Sequence, residues 1–134
     1  MLTDEQKNAL IQAALEARKW AYAPYSNYPV GAALLTTSGR IYDGVNVENA
    51  AYPTSICAER VAVFNAVTSG ARQFSAIVVA TANGGTPCGS CRQVLAEFGL
   101  ETTVIIVDEQ GRVVSQASLA DLLPGAFLPK DLEK

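Results

Sequence analysis

The feature that most constrains the fold is the alternation of apolar β-forming runs with stretches of helical periodicity. Buried strands are predicted at Val30 to Thr37, Phe74 to Ala82 and Thr103 to Asp108. Two further strands, Arg40 to Val47 and Arg112 to Ser115, follow the first and the last of these after short turns. Strands that are apolar on both sides need helices on both faces of their sheet. The order α-β-β-α-β-α-β-β-α therefore predicts a three-layer α/β/α fold with a mixed, roughly five-stranded sheet.

Four helices are predicted around and between these strands. The first begins at Thr3, which has capping-box spacing, and ends before Pro24. The second and third, Cys57 to Ser69 and Cys88 to Phe98, are each closed by a glycine, and a short fourth helix follows the last strand. The sequence shows no repeat and no linker, and 49% of its residues are hydrophobic. We therefore expect a single domain over residues 1–134.

The charge balance argues against a polymeric nucleic acid as a partner. Ten basic residues face 13 acidic ones, which gives a formal net charge of −3. Proteins that bind nucleic acid through its phosphates need a surplus of Lys and Arg on one face. No apolar run approaches the roughly 18 residues that span a bilayer, so no membrane contact is expected. The acidic, polar start and the odd number of cysteines, 3, favour a cytoplasmic protein.

The sequence contains no histidine. This excludes Ser-His-Asp hydrolysis, Cys-His proteolysis and every metal site that needs an imidazole. A metal must then be held by thiolates or carboxylates. Any general acid or base must be Glu, Asp, Lys, Tyr or Cys.

All three cysteines lie at predicted helix starts. Cys88 and Cys91 form a Cys-x-x-Cys pair that opens one helix, and Cys57 opens another. Such an arrangement suits a metal with three protein ligands and one position left for water, as in catalytic zinc sites. Taken alone, Cys57 is more typical of a buried small hydrophobe and the Cys-x-x-Cys pair of a redox motif. A structural zinc site stays open as an alternative, but it needs a fourth ligand that neither a histidine nor a further cysteine supplies.

Glu59 follows Cys57 by two residues in the same predicted helix. An isolated glutamate there is best explained by its favourable interaction with the helix dipole. Beside a metal with an open position, the same carboxylate could take a proton from bound water and pass it on. Glu59 is therefore the candidate catalytic residue.

Six motifs, in this order, extend over nearly the whole chain. They are Ala23-Pro24-Tyr25-Ser26, Val30-Gly31-Ala32-Ala33-Leu34, Gly44-Val45-Asn46-Val47-Glu48-Asn49-Ala50-Ala51-Tyr52, Cys57-Ala58-Glu59-Arg60, Pro87-Cys88-Gly89-Ser90-Cys91-Arg92-Gln93 and Leu122-Leu123-Pro124-Gly125-Ala126-Phe127. Together they resemble the small, homotetrameric, zinc-dependent cytidine deaminases with three cysteine ligands. The resemblance implies one zinc per subunit, held by Cys57, Cys88 and Cys91. It also implies hydrolytic deamination of cytidine, and of deoxycytidine, to uridine and ammonia by zinc-bound hydroxide in pyrimidine salvage.

The resemblance also implies roles for five substrate-binding residues. Asn46 and Glu48 match the pair that clamps the ribose hydroxyl, and residues two apart on a strand share a face. Tyr28 holds the position of an aromatic residue that packs against the pyrimidine, usually Phe in the family. The Ala58 backbone matches a contact to the base. Phe127 matches a residue that reaches into the neighbouring subunit's active site, so the active sites of the homotetramer would be shared.

Charge gives a reason for a nearby arginine. Three thiolates on a divalent zinc leave a net charge of −1. Water bound to such a zinc ion is harder to ionise than water bound to a zinc ion with neutral imidazole ligands. An arginine that hydrogen-bonds to the thiolates would offset this charge. Arg60 matches the family's arginine in that role, and Arg92 is a weaker candidate.

Three other functions are alternatives to cytidine deamination. A deaminase of another small aminopyrimidine compound, such as blasticidin S, would share the cysteine pattern. The match of Asn46, Glu48 and Phe127 favours the nucleoside instead. A polynucleotide deaminase typically uses His-x-Glu, which this chain lacks. A zinc-stabilised domain without catalysis would leave Glu59 without a purpose.

Overall fold

A computed structural model, which describes residues 2–132, contains one five-stranded sheet. Its strands are β1 (Gly31–Thr36), β2 (Ile41–Val45), β3 (Phe74–Ala80), β4 (Thr103–Val107) and β5 (Val113–Ser118). Their order across the sheet is β2-β1-β3-β4-β5. β3 and β4 are parallel, and the other neighbouring pairs are antiparallel. The predicted mixed, five-stranded sheet is thus confirmed.

The helices follow the predicted order. They are α1 (Asp4–Arg18), α2 (Ala58–Thr68), α3 (Gly89–Ala96) and α4 (Leu119–Leu122), with short 3-10 helices at Tyr52–Thr54 and Pro129–Leu132. The predicted capping box is present, because Thr3 Oγ1 accepts from Gln6 N at 3.0 Å and Gln6 Oε1 accepts from Thr3 N at 3.1 Å. Across residues 2–132, none of the helices combines the length and the apolar character that a membrane crossing requires.

The sheet lies between two helical layers. On one face, α1 packs Leu10, Ile11 and Ala14 against side chains of β1, β3 and β4. On the other face, α2, α3 and α4 pack against the alternate side chains of the same strands. Strands covered on both sides are apolar on both sides, and all six residues of β1 are buried. The three-layer α/β/α prediction is confirmed.

The last strand differs most from its prediction. β5 runs from Val113 to Ser118, three residues beyond the predicted end at Ser115. It pairs with β4 from Val107 opposite Val113 to Thr103 opposite Ser118, with a register shift that leaves Val114 without a partner in β4. The added residues are polar or small, so their sequence alone gives little strand signal. Main-chain pairing with the buried neighbour extends the strand.

Gly44 lets α2 lie unusually close to the β1–β2 hairpin. A Cβ atom at Gly44 would stand 2.4 Å from Ala62 N and 2.6 Å from Ala58 O. Only a residue without a side chain fits this approach of helix backbone to strand backbone. The start of α2 is therefore fixed directly against the sheet.

Candidate metal centre and active site

Three free thiols meet where α2 and α3 begin. Cys57 is the N-cap residue of α2 and Cys88 that of α3, while Cys91 lies in the first turn of α3. Their three Sγ atoms lie within 4.8 Å of one another. Cys57 Sγ is 3.7 Å from Cys88 Sγ, which is 3.0 Å from Cys91 Sγ. The structure thus brings all three predicted metal ligands together.

The spacing of the sulfur atoms fits a tetrahedral zinc ion. Zn–S bonds of about 2.3 Å at tetrahedral angles place sulfur atoms about 3.8 Å apart. The 3.7 Å separation of Cys57 and Cys88 matches this value, and the Cys88–Cys91 pair at 3.0 Å needs to open by less than about 1 Å. Among residues 2–132, no fourth Cys, His, Asp or Glu joins the group. The donor set therefore suits a metal with three protein ligands and an open position.

The surroundings of Cys57 favour its thiolate. The Cys91 thiol first, and then the Arg60 guanidinium, lower the pKa of the Cys57 thiol to about 5 against the opposing effect of burial. Arg60 Nη2 donates to Cys57 Sγ at 3.4 Å. The hydrogen bond with Cys57 and burial raise the pKa of Cys91. Cys57 and Cys88 also lie at helix N-termini, where the backbone dipoles stabilise negative charge.

The carboxyl group of Glu59 is held in a dry position beside the thiols. Glu59 lies in the first turn of α2 and is only 5% exposed. Burial, and to a lesser degree the charge of Cys57, raise the pKa of Glu59. It lines the same cavity as Cys57 and Cys88. A buried carboxyl group thus lines the site together with two of the thiols.

A cavity of about 300 Å³ opens in front of the thiols. Seven of the predicted site residues line it. They are Tyr28, Asn46, Glu48, Cys57, Ala58, Glu59 and Cys88. The three others do not: Cys91 is fully buried, Arg60 contacts Cys57 Sγ, and Phe127 lines a separate groove.

Asn46 and Glu48 organise the chain that forms one wall of the cavity. Asn46 Oδ1 accepts from Val30 N at 2.9 Å, and its Nδ2 donates to Tyr28 O at 3.0 Å. Glu48 Oε1 accepts from the backbone of Tyr25 at 3.0 Å, and Glu48 also accepts from the hydroxyl of Ser26. These bonds, led by the one from the Ser26 side chain, lower the pKa of Glu48. Both residues line the cavity, but both lie beyond β2, which ends at Val45 and not at the predicted Val47.

The hydroxyl of Tyr28 joins two walls of the cavity. It donates to Asn83 Oδ1 at 2.6 Å. Asn83 belongs to the segment that connects β3 to α3, 55 residues further along the chain. The tyrosine therefore contributes its ring to the cavity while its polar end is bound outside the lining.

The two arginines have different surroundings. Arg60 donates to a thiol through Nη2, and its Nε is buried without a hydrogen-bond partner among the described residues. Arg92 Nε donates to Pro87 O at 2.9 Å, and its Nη1 donates to Leu122 O at 2.8 Å. Arg92 thus braces the segment before α3, and Arg60 is the arginine that faces the sulfur atoms.

Phe127 lines a separate surface groove, formed mostly by the residues after α4. Its side chain is 56% exposed, and its carbonyl accepts from Gln93 Nε2 at 2.7 Å. An exposed phenylalanine away from its own cavity is what a residue serving another subunit requires. Its role in a neighbouring site stays a prediction.

Sequence reasoning missed several residues of the cavity wall. Thr81 and Ser55 line it, as do Gly85 and Thr86 of the segment before α3. Thr81 is polar but only 2% exposed, and it follows an apolar strand. A polar residue at the end of a buried strand was the available signal, because strand ends are where sites form in open α/β sheets.

Comparison with known proteins places this arrangement in a family. Residues 4–107 match the family model described as "Cytidine and deoxycytidylate deaminase zinc-binding region". The chain is 46% identical over 125 residues to a cytidine deaminase from Sporosarcina psychrophila, with 92% of each chain covered. It is 43% identical over 129 residues to a cytidine deaminase from Halalkalibacterium halodurans, with 94% of this chain and 97% of the relative covered.

A solved structure extends the similarity to the fold. The crystal structure of a cytidine deaminase from Burkholderia pseudomallei superposes with a TM-score of 0.85 at 49% identity, covering 90% of this chain and 98% of that one. The match to a zinc-binding region, together with the three-thiol group, confirms the predicted zinc cofactor. The chain belongs to the cytidine and deoxycytidylate deaminase family of zinc-dependent hydrolases.

Proposed function

We propose that this protein hydrolyses cytidine, and also deoxycytidine, to uridine and ammonia in pyrimidine salvage. The observation that carries the proposal is the buried carboxyl of Glu59 beside three converging thiols, with Glu59, Cys57 and Cys88 lining one cavity. The volume of about 300 Å³ lies at the small end of the range for small-molecule pockets. A free nucleoside therefore suits the site better than a polymer does. The net charge of −3 also favours a free nucleoside over a polymeric nucleic acid.

Cys57, Cys88 and Cys91 would hold one zinc ion per subunit. When bound, zinc supplies Lewis acidity that makes water a stronger nucleophile near neutral pH. Arg60 reduces the negative charge of the thiolates through its contact with Cys57. The two helix N-termini act in the same direction.

Glu59 moves the protons of the reaction. It accepts a proton from the attacking water and delivers it to ring N3 of the cytosine, while the oxygen adds to C4. The proton of the resulting C4 hydroxyl then passes through Glu59 to the exocyclic amine. The C4–N bond breaks, the C4=O bond of uridine forms and ammonia leaves, so that one water is consumed for each uridine formed. A buried carboxyl with a raised pKa gives up a bound proton less readily than an exposed one, which suits a group that accepts a proton and then returns it.

The remaining walls would orient the nucleoside. Glu48 and Asn46 would bind the ribose hydroxyls. Glu48 has oxygen lone pairs that its bond with Ser26 does not use, and Asn46, which accepts from Val30, retains an amide hydrogen to donate. The Tyr28 ring would pack against the pyrimidine. The backbone of Ala58, at the start of α2, would contact the base.

The assembly and its location extend this proposal. Residues 1–134 would form one catalytic domain, and four copies would share their active sites through Phe127, whose exposure supports such a role. Large exposed side chains at Trp20 and Tyr52 also suit contact with other copies. Three free thiols favour a reducing compartment, which supports a cytoplasmic location.

The test combines metal analysis with a deamination assay on the purified protein. We expect about one zinc per chain and release of ammonia from cytidine, matched by the formation of uridine. Parallel assays with deoxycytidine, blasticidin S and single-stranded DNA define the substrate class. Ammonia from blasticidin S alone would assign the chain to the other small-molecule deaminases. Full zinc occupancy without turnover of any substrate would make it a non-catalytic domain.

A further inference from the structure

We propose that the Tyr28 hydroxyl and Asn83 form a latch that positions the loop leading to the second and third metal ligands. This loop, residues 83–87, is called the ligand loop below. The inference rests on the proposed function, because its kinetic effect concerns nucleoside binding. It assigns a positioning role to a hydroxyl that the usual phenylalanine at this position lacks.

The latch joins two segments that are otherwise far apart in sequence. Tyr28 lies just before β1, and Asn83 lies just after β3. Tyr28 Oη donates to Asn83 Oδ1 at 2.6 Å, a short and well-formed bond between neutral groups. The Thr81 hydroxyl faces the same Oδ1 atom at 3.5 Å. One acceptor atom thus ties the aromatic wall of the cavity to the end of β3.

The ligand loop is ordered from its other side by Thr81. Gly84 N and Gly85 N donate to Thr81 Oγ1 at 2.7 and 2.9 Å. Gly85 and Thr86 then line the cavity directly before Cys88. Arg92 holds the far end of the loop, because its Nε donates to Pro87 O at 2.9 Å and its Nη2 to Thr86 Oγ1 at 3.3 Å. The path of the loop sets both the cavity wall and the entry into α3. Removing the bond from Tyr28 would leave the start of the loop, Asn83 to Gly85, held by Thr81.

Gly85 and the Tyr28 hydroxyl compete for the same space. A Cβ atom at Gly85 would lie 2.6 Å from Tyr28 Oη but 3.7 Å from Tyr28 Cζ. The first distance is a clash, whereas the second is an ordinary van der Waals contact. A Cβ atom at position 85 therefore forces the hydroxyl to move from this position, whereas a phenylalanine ring in the place of the tyrosine ring is compatible with it. The tyrosine and the glycine fit as a pair.

A latched loop lowers the cost of binding the nucleoside. Without the latch, the substrate must also order the loop, and the free energy for this ordering is taken from binding. Such a loss raises KM and leaves kcat nearly unchanged, because ground state and transition state are affected alike. One hydrogen bond of ordinary net strength corresponds to roughly a 3- to 10-fold change.

The first test is a double-mutant cycle on the zinc-loaded enzyme with Tyr28→Phe and Asn83→Ala. We expect each variant to raise KM for cytidine about 3- to 10-fold, with kcat within about twofold and unchanged zinc content. The double variant should be no worse than the single ones. Tyr42→Phe is the matched control, because the Tyr42 hydroxyl makes no hydrogen bond among the described residues and Tyr42 is not a cavity residue. Unchanged KM in Tyr28→Phe, or additive effects in the double variant, would overturn the latch.

The second test uses the competition at position 85. Gly85→Ala should raise KM in the natural background, because the new Cβ displaces the Tyr28 hydroxyl. Combined with Tyr28→Phe, the same alanine should have little further effect. Equal damage by Gly85→Ala in both backgrounds would show that the alanine acts in another way and would refute the pairing.

A third measurement separates the latch from the proposed function. Hydrogen exchange of the Gly84 and Gly85 amides reports the order of the ligand loop without any substrate. We expect faster exchange in Tyr28→Phe than in Tyr42→Phe, at equal zinc content. Failure of the natural protein to act on cytidine would refute the proposed function alone. Unchanged exchange in Tyr28→Phe would refute the latch even in a fully active enzyme.

Discussion

Replacing Glu59 with glutamine tests the proton carrier most directly. Glutamine has nearly the same size and keeps a polar group in the same buried place, so the shape of the cavity should be retained. It cannot accept and return a proton as a carboxyl does. The zinc ligands are not changed by the substitution, so the zinc content should stay near one per chain.

The size of the loss follows from what else the cavity contains. A positioned acid or base contributes roughly 10²- to 10⁴-fold to a rate. The other carboxylate of the lining, Glu48, already accepts from Tyr25 and Ser26, so it is not free to substitute. Glu59 also serves more than one proton transfer. We therefore expect Glu59→Gln to lower kcat by at least about 10³-fold, which corresponds to about 4 kcal/mol in the barrier.

The assay measures ammonia and uridine from cytidine at saturating substrate, with zinc content determined on the same sample. Glu48→Gln serves for comparison, because it neutralises a carboxylate of the same cavity and should act chiefly on KM. Glu59→Gln with kcat within about tenfold of the natural enzyme, at equal zinc content, would refute the proton-carrier role.

Four further outcomes are expected from single substitutions. Cys88→Ser should lose zinc, as metal analysis after dialysis against a weak chelator will show; full occupancy with normal activity would argue against ligation. Arg60→Ala should lower kcat while the zinc stays bound, and its pH–rate profile should shift; an identical profile would contradict the charge argument. Gly44→Ala should destabilise the protein by about 1–3 kcal/mol or more in urea unfolding, because a Cβ there overlaps the backbone of α2; stability equal to the natural protein would be the contrary result. The backbone amide of Arg112 is the main cause of a lowered pKa at Asp108, so Asp108→Asn should reduce stability at neutral pH, and the difference should fade in acid as the pH falls through that lowered pKa; a difference that persists in strong acid would contradict this origin.

The layered fold could be predicted because its signals are local. The run Phe74 to Ala82 is apolar on both sides, and Thr3 shows its capping box within four residues. The end of β5 could not be predicted, because Gln116 to Ser118 become a strand only through pairing with β4. Local propensity was weaker there than tertiary pairing.

The candidate site likewise contains residues that the sequence indicates and a contact that it does not. Cys57, Glu59 and the Cys88–Cys91 pair have fixed spacings at helix starts, so the sequence alone indicates them. The contact of Tyr28 with Asn83 spans 55 residues and depends on where a glycine-rich loop folds back. No periodicity or motif encodes such a contact, and only the three-dimensional arrangement reveals it.

The absent side chain at Gly44 has a consequence for the reacting groups. Ala58 and Ala62 contact β2 through main-chain atoms at Gly44. No flexible side chain therefore lies between the sheet and the start of the helix, where Cys57 and Glu59 are. The helix turn that contains Cys57 and Glu59 is consequently held by contacts between backbones, which have less freedom than side chains. Small changes at this contact between α2 and β2 should misalign the reacting groups without unfolding the protein. Turnover should therefore be lost before stability is.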